Sequence, residues 1–483
     1  MPSRLPLVVL LVLVLAALGH AASKERVLGS YIFHRHGDRS AKAWKPVNLT
    51  ALGAAQVHSS GVFYRDRYLS DSGRFRIAAL SRDTAVPAQL SVSSPHDVVL
   101  HNSAAAFLQG LYPPTALAAE RLANGSRIQA PLNGYQYIPV NGPADSEAAA
   151  AALSPLQVED SAWLQGGSGC SRSQVSSNAY LTSLDYRRDY DDSRAFYQSL
   201  LPVINRTYDD AAATFKNAYS IFDLINAASI HNSTIPSSDL VTPAVRSRLY
   251  HLASVHEWNL AFNTSQPVRA VAGAVLAVQV LNSLQALVDA RPNAPHLNAQ
   301  FGPYGTFMAF FGLAQLPIVS SDFMGICDYA SSMAFELVTS SDAATVAPQD
   351  IFVQFSFANG SAADNGLKLF PLFGQDKLAL PWLEFKTAMS SFAVADSKHW
   401  CDFCGNTGGK CAAYQDSASG ASSSSSHDSG VSKPVAGVIG ALVTLVVILA
   451  LQAAVMLIGG LRLVRKSTVQ KNSHLSDVST LKA

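Results

Sequence analysis

The sequence predicts an α/β protein with a mainly helical insertion, and three features support that prediction. An apolar run from Val27 to Phe33, rich in β-branched and aromatic residues, has the length and composition of a buried strand. Two long segments have the pattern of helices: 243–262 has apolar residues at helical spacing, and 268–290 is rich in alanine, valine and leucine. Strand-like and helical segments alternate through the region 24–416, which favours helices packed against a central sheet.

The helical segments have recognisable starts. Thr242 and Pro243 together have the composition of a helix N-terminus. Pro267 opens the second long segment, and Tyr304–Leu316 is an apolar run that predicts a further core helix. We expect the insertion to occupy roughly residues 112–265.

The two ends of the chain predict a secreted protein with a membrane anchor. The apolar run Leu7–Leu18, followed by small residues near Ala22, predicts a signal peptide over 1–22 that is too short to span a bilayer stably. The serine-rich segment 417–433 predicts a flexible stalk. The segment 434–461 carries no charged residue and exceeds the ~20 residues that a membrane-spanning helix needs.

The residues beyond this apolar segment set the expected orientation. Arg462, Arg465 and Lys466 follow it directly, so the positive-inside rule places the tail 462–483 in the cytosol. A lipid-anchor signal is the competing interpretation, but such signals end in their apolar tail, whereas a polar segment follows here. We therefore expect a single-pass membrane protein of the secretory pathway, with its ectodomain 23–416 facing the cell exterior or the lumen of a vacuole.

Sequons and cysteines agree with a secretory compartment. Six N-x-[ST] sequons begin at Asn48, Asn124, Asn205, Asn232, Asn263 and Asn359. Behind a signal peptide they predict N-glycans. The five cysteines fit an oxidising compartment in which disulfides persist, with at least one thiol left over. A zinc site needs four ligands, and nothing except His399 lies nearby to complete the set with Cys401, Cys404 and Cys411. We therefore favour a local disulfide over a zinc site.

The motif Arg35-His36-Gly37-Asp38-Arg39 follows directly on the first predicted strand. Polar residues at the carboxyl end of such a strand lie where α/β folds place their ligands. Two guanidiniums can hold a phosphate while the neutral imidazole of His36 attacks phosphorus. Their positive charges should lower the pKa of His36 and keep the ring unprotonated in acid. The net charge of +1 gives no argument for nucleic acid as a partner.

This motif resembles the R-H-G-x-R core of the histidine acid phosphatases, in the branch of fungal acid phosphatases and phytases. The family usually has proline after the residue that follows the core, whereas Ala41 follows Ser40 here. The segment 103–113 is similar to the family's helix that ends in a G-x-Y-P turn, and 329–337 resembles its late A-S-x-x-x-x-E strand. The triplet 256–258 falls where phytases have D-E-W.

The resemblance implies a fold and an activity. The fold is a phosphoglycerate-mutase-like three-layer sandwich that carries the helical insertion. The activity is hydrolysis of phosphomonoesters through a phosphohistidine, with His36 as the nucleophile and with Arg35 and Arg39 on the phosphate. Neither a metal nor an organic cofactor is implied, since guanidiniums supply the electrostatic stabilisation and imidazole the covalent step.

The resemblance also implies a third arginine on the phosphate, between the motif and Ser103. Our candidate is Arg82, although its spacing from Ser103 departs from the family pattern. Arg74 and Arg76 are rivals, but they precede the apolar run Ile77–Leu80, which places them at the opposite end of a predicted strand from Arg82.

The family's proton donor is replaced in this chain. Its second histidine, followed by an acid, aligns with Pro303 and Tyr304. Proline has no titratable group, and a phenol with a pKa near ~10 is a poor donor at mild pH. Losing a general acid typically costs ~10²–10⁴ in rate, or about 3–5 kcal/mol of barrier. Candidates for a relocated donor are Glu257 and Asp38, and His34 is a third, although its apolar neighbours favour a packed position in the sheet.

Three outcomes stay open on these grounds: a slow phosphatase, an enzyme with a relocated acid, or a binding protein on a phosphatase scaffold. We expect a membrane-anchored acid phosphatase-like phosphomonoesterase that acts on a phosphorylated small molecule. The alternative is a catalytically impaired protein that binds phosphate or an inositol phosphate on the same scaffold. A mutase of the wider phosphohistidine superfamily fits poorly with a secreted, glycosylated context.

Overall fold

The structure of the protein is a computed structural model that describes residues 25–71, 73–142, 168–291, 293–343 and 345–414. These residues all belong to the first of two units into which the chain divides, Met1–Gln415 and Asp416–Ala483. The predicted signal peptide, stalk, membrane-spanning helix and cytosolic tail lie outside the described residues, so they stay predictions.

Most of the strands form one mixed sheet. The strands are β1 (Arg26–His34), β2 (Leu90–Ser93), β3 (Glu120–Arg121), β4 (Arg127–Ile128), β5 (Leu297–Phe301), β6 (Ser332–Thr339), β7 (Ile351–Ala358), β8 (Lys368–Leu369) and β9 (Ala379–Pro381). The sheet has the order β2-β5-β1-β6-β7-β8, with β9 paired to β7, and β3 and β4 form a separate hairpin. β1 is central, parallel to β5 and antiparallel to β6.

Helices follow and separate these strands. The longer helices are α1 (Ala51–Tyr68), α2 (Val98–Leu111), α3 (Ser171–Tyr180), α4 (Leu184–Ser199), α5 (Ala218–His231), α6 (Pro243–Ala261), α7 (Val271–Val288), α8 (Tyr304–Leu313), α9 (Trp382–Ser390) and α10 (Ser397–Cys404). The hydroxyl of Thr242 accepts a hydrogen bond from the backbone N–H of Val245, so α6 begins where the sequence predicts.

The alternation of side chains along β1 divides the core between the two faces of the sheet. Ile32 packs in a cluster with side chains of α1 and α2. Tyr31 and Phe33 point the other way, into a cluster with side chains of α7, α8 and α9. The sheet therefore lies between two helical layers, and the predicted mixed α/β architecture is confirmed.

The described residues between β4 and β5 are mainly helical, and the predicted bounds of the insertion, 112–265, stay a prediction. Helices α4, α5 and α6 share their own apolar cluster, which includes Tyr197, Phe215, Ile221 and Leu249. Because it has a separate core, this region can position residues at one edge of the sheet without belonging to it.

One described stretch, Pro267–Val288, is long and apolar enough to cross a membrane by length and composition. More than half of its most apolar window is buried inside the protein (56%), and its side chains pack in the core beside β1. This stretch therefore serves as a core helix, and the predicted membrane anchor at 434–461 is a different segment.

Of two disulfides, one links α10 to the start of α3 and the other is local to the carboxyl-terminal part of the described residues. Cys401 bonds to Cys411, which confirms a local disulfide, and Cys404 bonds to Cys170, 234 residues away. Cys327 is the leftover thiol and is buried. Within the described ranges, no group of three or more His, Cys, Asp or Glu side chains is placed to hold a metal ion.

Candidate active site

The loop Arg35–Arg39 begins where β1 ends, at the carboxyl edge of the parallel strands. The loop before β6 holds it through two backbone hydrogen bonds, from the N–H of Arg35 to the carbonyl of Ser331 and from the N–H of Ala330 to the carbonyl of His36, each 2.8 Å. A Cβ on Gly37 would lie 2.2 Å from the carbonyl oxygen of Gly53 in α1, so only glycine fits this close approach. The loop is thus fixed from both sides.

The ring of His36 has the orientation that a nucleophile needs. Its Nδ1 lies 2.7 Å from the carbonyl oxygen of Gly37, so Nδ1 carries the proton and Nε2 holds the free lone pair. No described residue hydrogen-bonds to that Nε2. Burial and the positive charges of Arg35 and Arg39 lower the pKa of His36 well below its usual value. The imidazole therefore stays neutral into acid solution.

Arg35 keeps open donors beside His36. Its Nη1 donates to the carbonyl of Cys327, and its buried Nε has no partner. Its guanidinium carbon lies 4.7 Å from the ring centre of Tyr329 and 5.3 Å from that of Tyr304. The ring of Tyr329 in turn lies 5.6 Å from the ring of His36. Arg35 can therefore turn its free N–H groups toward an anion bound at His36.

The guanidinium of Arg39 has more hydrogen-bond partners within the protein than the sequence suggests. Its Nη2 donates to Oδ1 of Asp223 at 2.8 Å and to the hydroxyl of Tyr219 at 3.0 Å. Its Nη1 donates to Oδ2 of Asp223 at 3.1 Å and to the carbonyl of Ser40 at 2.9 Å. Both charged groups are buried, and only Nε of Arg39 has no partner. Arg39 thus offers a phosphate one open N–H and a charge that Asp223 partly neutralises.

The position of the missing proton donor is occupied by a hydrogen-bonded chain. The hydroxyl of Tyr304 donates to Oε2 of Glu257 at 2.7 Å, and Oε1 of Glu257 lies 2.8 Å from Nδ1 of His256. Burial and the nearby carboxylate of Glu257 raise the pKa of Tyr304 well above its usual value, so the phenol keeps its proton. Of the relocated donors suggested by the sequence, Glu257 is the one in this chain of contacts beside Arg35.

Asp38 and His34 have other partners. Oδ2 of Asp38 accepts a hydrogen bond from the hydroxyl of Thr50 and lies 2.6 Å from Nε2 of His231. The carboxylate therefore connects the start of α1 with the end of α5. The ring of His34 is fully buried, 2.8 Å from the hydroxyl of Ser60 and 2.6 Å from the carbonyl of Arg35. Both side chains therefore support the loop from the interior of the protein.

Arg82 does not join the cluster around His36. Its guanidinium is half exposed and forms ion pairs with Asp71 at 2.6 Å and Asp83 at 2.8 Å. Arg76 also pairs with Asp71, at 3.2 Å. Among the residues that the structure describes, no third arginine contacts the His36 loop.

Sequence reasoning missed Asp223, Tyr219 and Tyr329. Asp223 had a detectable signal, because it is a lone carboxylate within the apolar helix α5 and such a residue usually has a buried partner. The two tyrosines carry no local signal, since their place beside the arginines depends on how distant segments meet.

No protein-family model matches the chain, and no curated protein sequence matches it. Several solved structures resemble it. The apo form of the Hafnia alvei phytase superposes with a TM-score of 0.53 at 12% identity, over 77% of this chain and 98% of that one. The chain has the phytase fold. The Citrobacter braakii phytase gives 0.51 at 13% identity, over 78% and 99%, and the Klebsiella sp. ASR1 phytase gives 0.50 at 13%, over 76% and 96%.

At these identities the likeness confirms a fold of the histidine acid phosphatase type and goes no further. The finer prediction, a place in the fungal branch of that family, stays a prediction.

Proposed function

We propose that this protein is a membrane-anchored acid phosphatase-like phosphomonoesterase that works through a phosphohistidine at His36. The observation that carries the proposal is the geometry of that ring: Nδ1 is hydrogen-bonded to the carbonyl of Gly37, which leaves the lone pair of Nε2 free, and burial and the two arginines lower the pKa of His36. The phytase fold of the chain supports the same chemistry, since it places the loop at the ligand-binding edge of the sheet.

In the proposed first step, Nε2 of His36 forms a bond to phosphorus while the bond from phosphorus to the ester oxygen breaks. Nη2 and Nε of Arg35, with Nε of Arg39, would stabilise the phosphoryl oxygens. The departing oxygen takes a proton and leaves as an alcohol. In the second step, water attacks the phosphohistidine, which releases phosphate, restores the imidazole and returns a proton to the donor.

Glu257 is the proposed source of the proton. For this transfer the hydrogen bond between the two groups, 2.7 Å long, must reverse: a protonated Glu257 donates to the oxygen of Tyr304, and the hydroxyl proton of Tyr304 passes to the departing oxygen. His256, 2.8 Å from the other carboxylate oxygen, can share the same proton. Glu257→Gln should lower kcat for alkyl phosphates by ~10²-fold, the low end for a general acid, and aryl phosphates, whose leaving groups need less protonation, should lose less.

The decisive test uses the purified full chain and an aryl phosphate. His36→Ala should abolish turnover, and acid quenching of the wild-type protein during turnover should trap a phosphorus–nitrogen bond that the variant lacks. His58→Ala is the matched control, because His58 is exposed on α1 and lies outside the site. Unchanged activity in His36→Ala would rule the mechanism out.

A second candidate function is a protein that binds phosphate or an inositol phosphate with little turnover. It is favoured by Tyr304, which stands where the family has its acid and keeps its proton in a bond to Glu257. Saturable phosphate binding without a trapped phosphohistidine would support this candidate, and trapping the intermediate would eliminate it.

The proposed location is the cell surface or a vacuole, with N-glycans on the ectodomain. The two disulfides support an oxidising compartment. Most of the sequon asparagines are exposed, while Asn263 is half-buried. Removal of N-glycans should increase mobility on a gel, and protease added to intact cells or vacuoles should show which side of the membrane the ectodomain occupies.

A further inference from the structure

A cavity of about 840 Å³ adjoins the candidate active site. Cys327 and Asp328 line it, and the carbonyl of Cys327 accepts the hydrogen bond from Arg35. The end of β7 also lines it: Ala358 pairs with Ser332 of β6, which pairs with His34 of β1. Since neighbouring strands lie ~4.8 Å apart, the cavity is ~10 Å from the end of β1 along the same edge of the sheet.

Six aromatic rings line the cavity, together with polar side chains such as His251, Ser254 and Asn259. The rings that line it belong to Tyr250, Trp258, Phe311, Phe323, Phe357 and Phe370. They come from α6, α8, the short helical turn Ser321–Met324 and the segments around β7 and β8, so four parts of the chain converge on one space. These rings offer contact surface to a flat or apolar group.

The charges at this cavity oppose a polyanion. Asp322 and Asp328 line it, and among its described lining residues Lys368 is the only lysine or arginine. An inositol polyphosphate carries many negative charges, and each would need a cationic partner or full exposure to water. Two carboxylates and one ammonium do not provide that.

We propose that this cavity receives the alcohol part of the substrate, and that the substrate is a monophosphate ester of an aromatic or similarly apolar alcohol. The phosphate would lie at His36 and Arg35, with the alcohol directed across the Cys327–Tyr329 loop into the aromatic wall. This substrate class rests on the proposed phosphatase function and adds to it the nature of the leaving group.

The test compares two monoesters that share the phosphate and differ in the alcohol: 1-naphthyl phosphate and glycerol 2-phosphate. For each protein, kcat/KM for 1-naphthyl phosphate is divided by kcat/KM for glycerol 2-phosphate. The ratio of each variant is then divided by the ratio of the wild type, so the intrinsic reactivity of each ester cancels. Phe370→Ala should lower this ratio ~5–10-fold, as expected for losing part of an aromatic contact surface. Met324→Ala, at a partly exposed lining position, should lower it in the same direction with less risk to folding.

Tyr137→Ala is the matched control, because that ring is exposed and does not line the cavity. It should leave the ratio unchanged. If Phe370→Ala and Met324→Ala keep their wild-type unfolding midpoints and also leave the ratio unchanged, the cavity does not hold the alcohol. A higher kcat/KM for myo-inositol hexakisphosphate than for 1-naphthyl phosphate would overturn the proposed substrate class.

Binding of 1-naphthyl phosphate, measured beside its turnover, separates this proposal from the proposed function. If the wild type cleaves no ester but 1-naphthyl phosphate fluorescence shows saturable binding that Phe370→Ala weakens, the phosphatase proposal fails while the cavity proposal holds. If the esters are cleaved and the variants leave the ratio unchanged, the phosphatase proposal holds and the cavity proposal fails. Absence of both turnover and binding would overturn both.

Discussion

Asp223→Asn tests how much the buried ion pair between Asp223 and Arg39 stabilises the fold. Arg39 and Asp223 are 1% and 3% exposed, and the carboxylate also accepts from the backbone N–H of Lys42 at 2.8 Å. Asparagine preserves the shape of the side chain but leaves the guanidinium without a counter-charge. Removing one partner of a buried pair typically costs ~3–5 kcal/mol, so we expect the free energy of unfolding to fall by that amount.

The measurement is urea unfolding of the purified full chain, followed by circular dichroism in the near and far ultraviolet. Asp71→Asn is the control: it removes the carboxylate that pairs with the half-exposed Arg82, and solvent screening should leave the unfolding midpoint almost unchanged. A midpoint shift in Asp223→Asn no larger than that of the control would show that the pair does not stabilise the fold.

The same variant should alter anion binding. The asparagine amide keeps one acceptor oxygen, so Arg39 regains one of the two Nη donors that bond to the Asp223 carboxylate in the wild type. Added inorganic phosphate should therefore raise the free energy of unfolding of Asp223→Asn more than that of the wild type, because a ligand stabilises a folded state more when it binds that state more tightly. Equal stabilisation of the two proteins would contradict the assignment of Arg39 to the phosphate site.

Three further predictions concern pH, thiol chemistry and proton transfer. Burial lowers the pKa of His34 to about 4, against 6.5 in the unfolded chain, so the unfolded chain binds a proton first as the pH falls. The free energy of unfolding should therefore fall by about 3 kcal/mol between pH 6.5 and pH 4. His34→Asn should flatten this part of a pH series of urea midpoints. Burial raises the pKa of Cys327 to about 11, so iodoacetamide at pH 8 should label one thiol only after unfolding, and labelling of the folded chain would contradict its burial. Tyr304→Phe should slow alkyl phosphates more than aryl phosphates in steady-state assays, and an equal effect on both would exclude the relay.

Local features of the site were predictable from the sequence. The strand ending at His34, the loop that follows it and the start of α6 at Thr242 are each encoded within a few neighbouring residues. The replacement of the family's acid by Tyr304 was also visible, and the structure brings that residue to the arginine loop.

Long-range pairings were not predictable, because they depend on where distant segments meet. Asp223 reaches Arg39 from 184 residues away, and Cys404 bonds to Cys170 rather than to a near neighbour. Arg82 was chosen for its place along the chain, yet two adjacent aspartates hold it at the surface. The role of Glu257 became clear only when Tyr304 was seen to bond to it.

The central place of β1 has a consequence for biosynthesis. Its neighbours in the sheet are β5 and β6, so His34 must wait for Phe301 and Ser332 to leave the ribosome. At ~5–20 residues per second, the nascent chain needs roughly 15–60 s to deliver them. During that interval a strand that is apolar on both faces has no partner. Chaperones that shield this strand during synthesis should therefore raise the yield of folded protein in a cell.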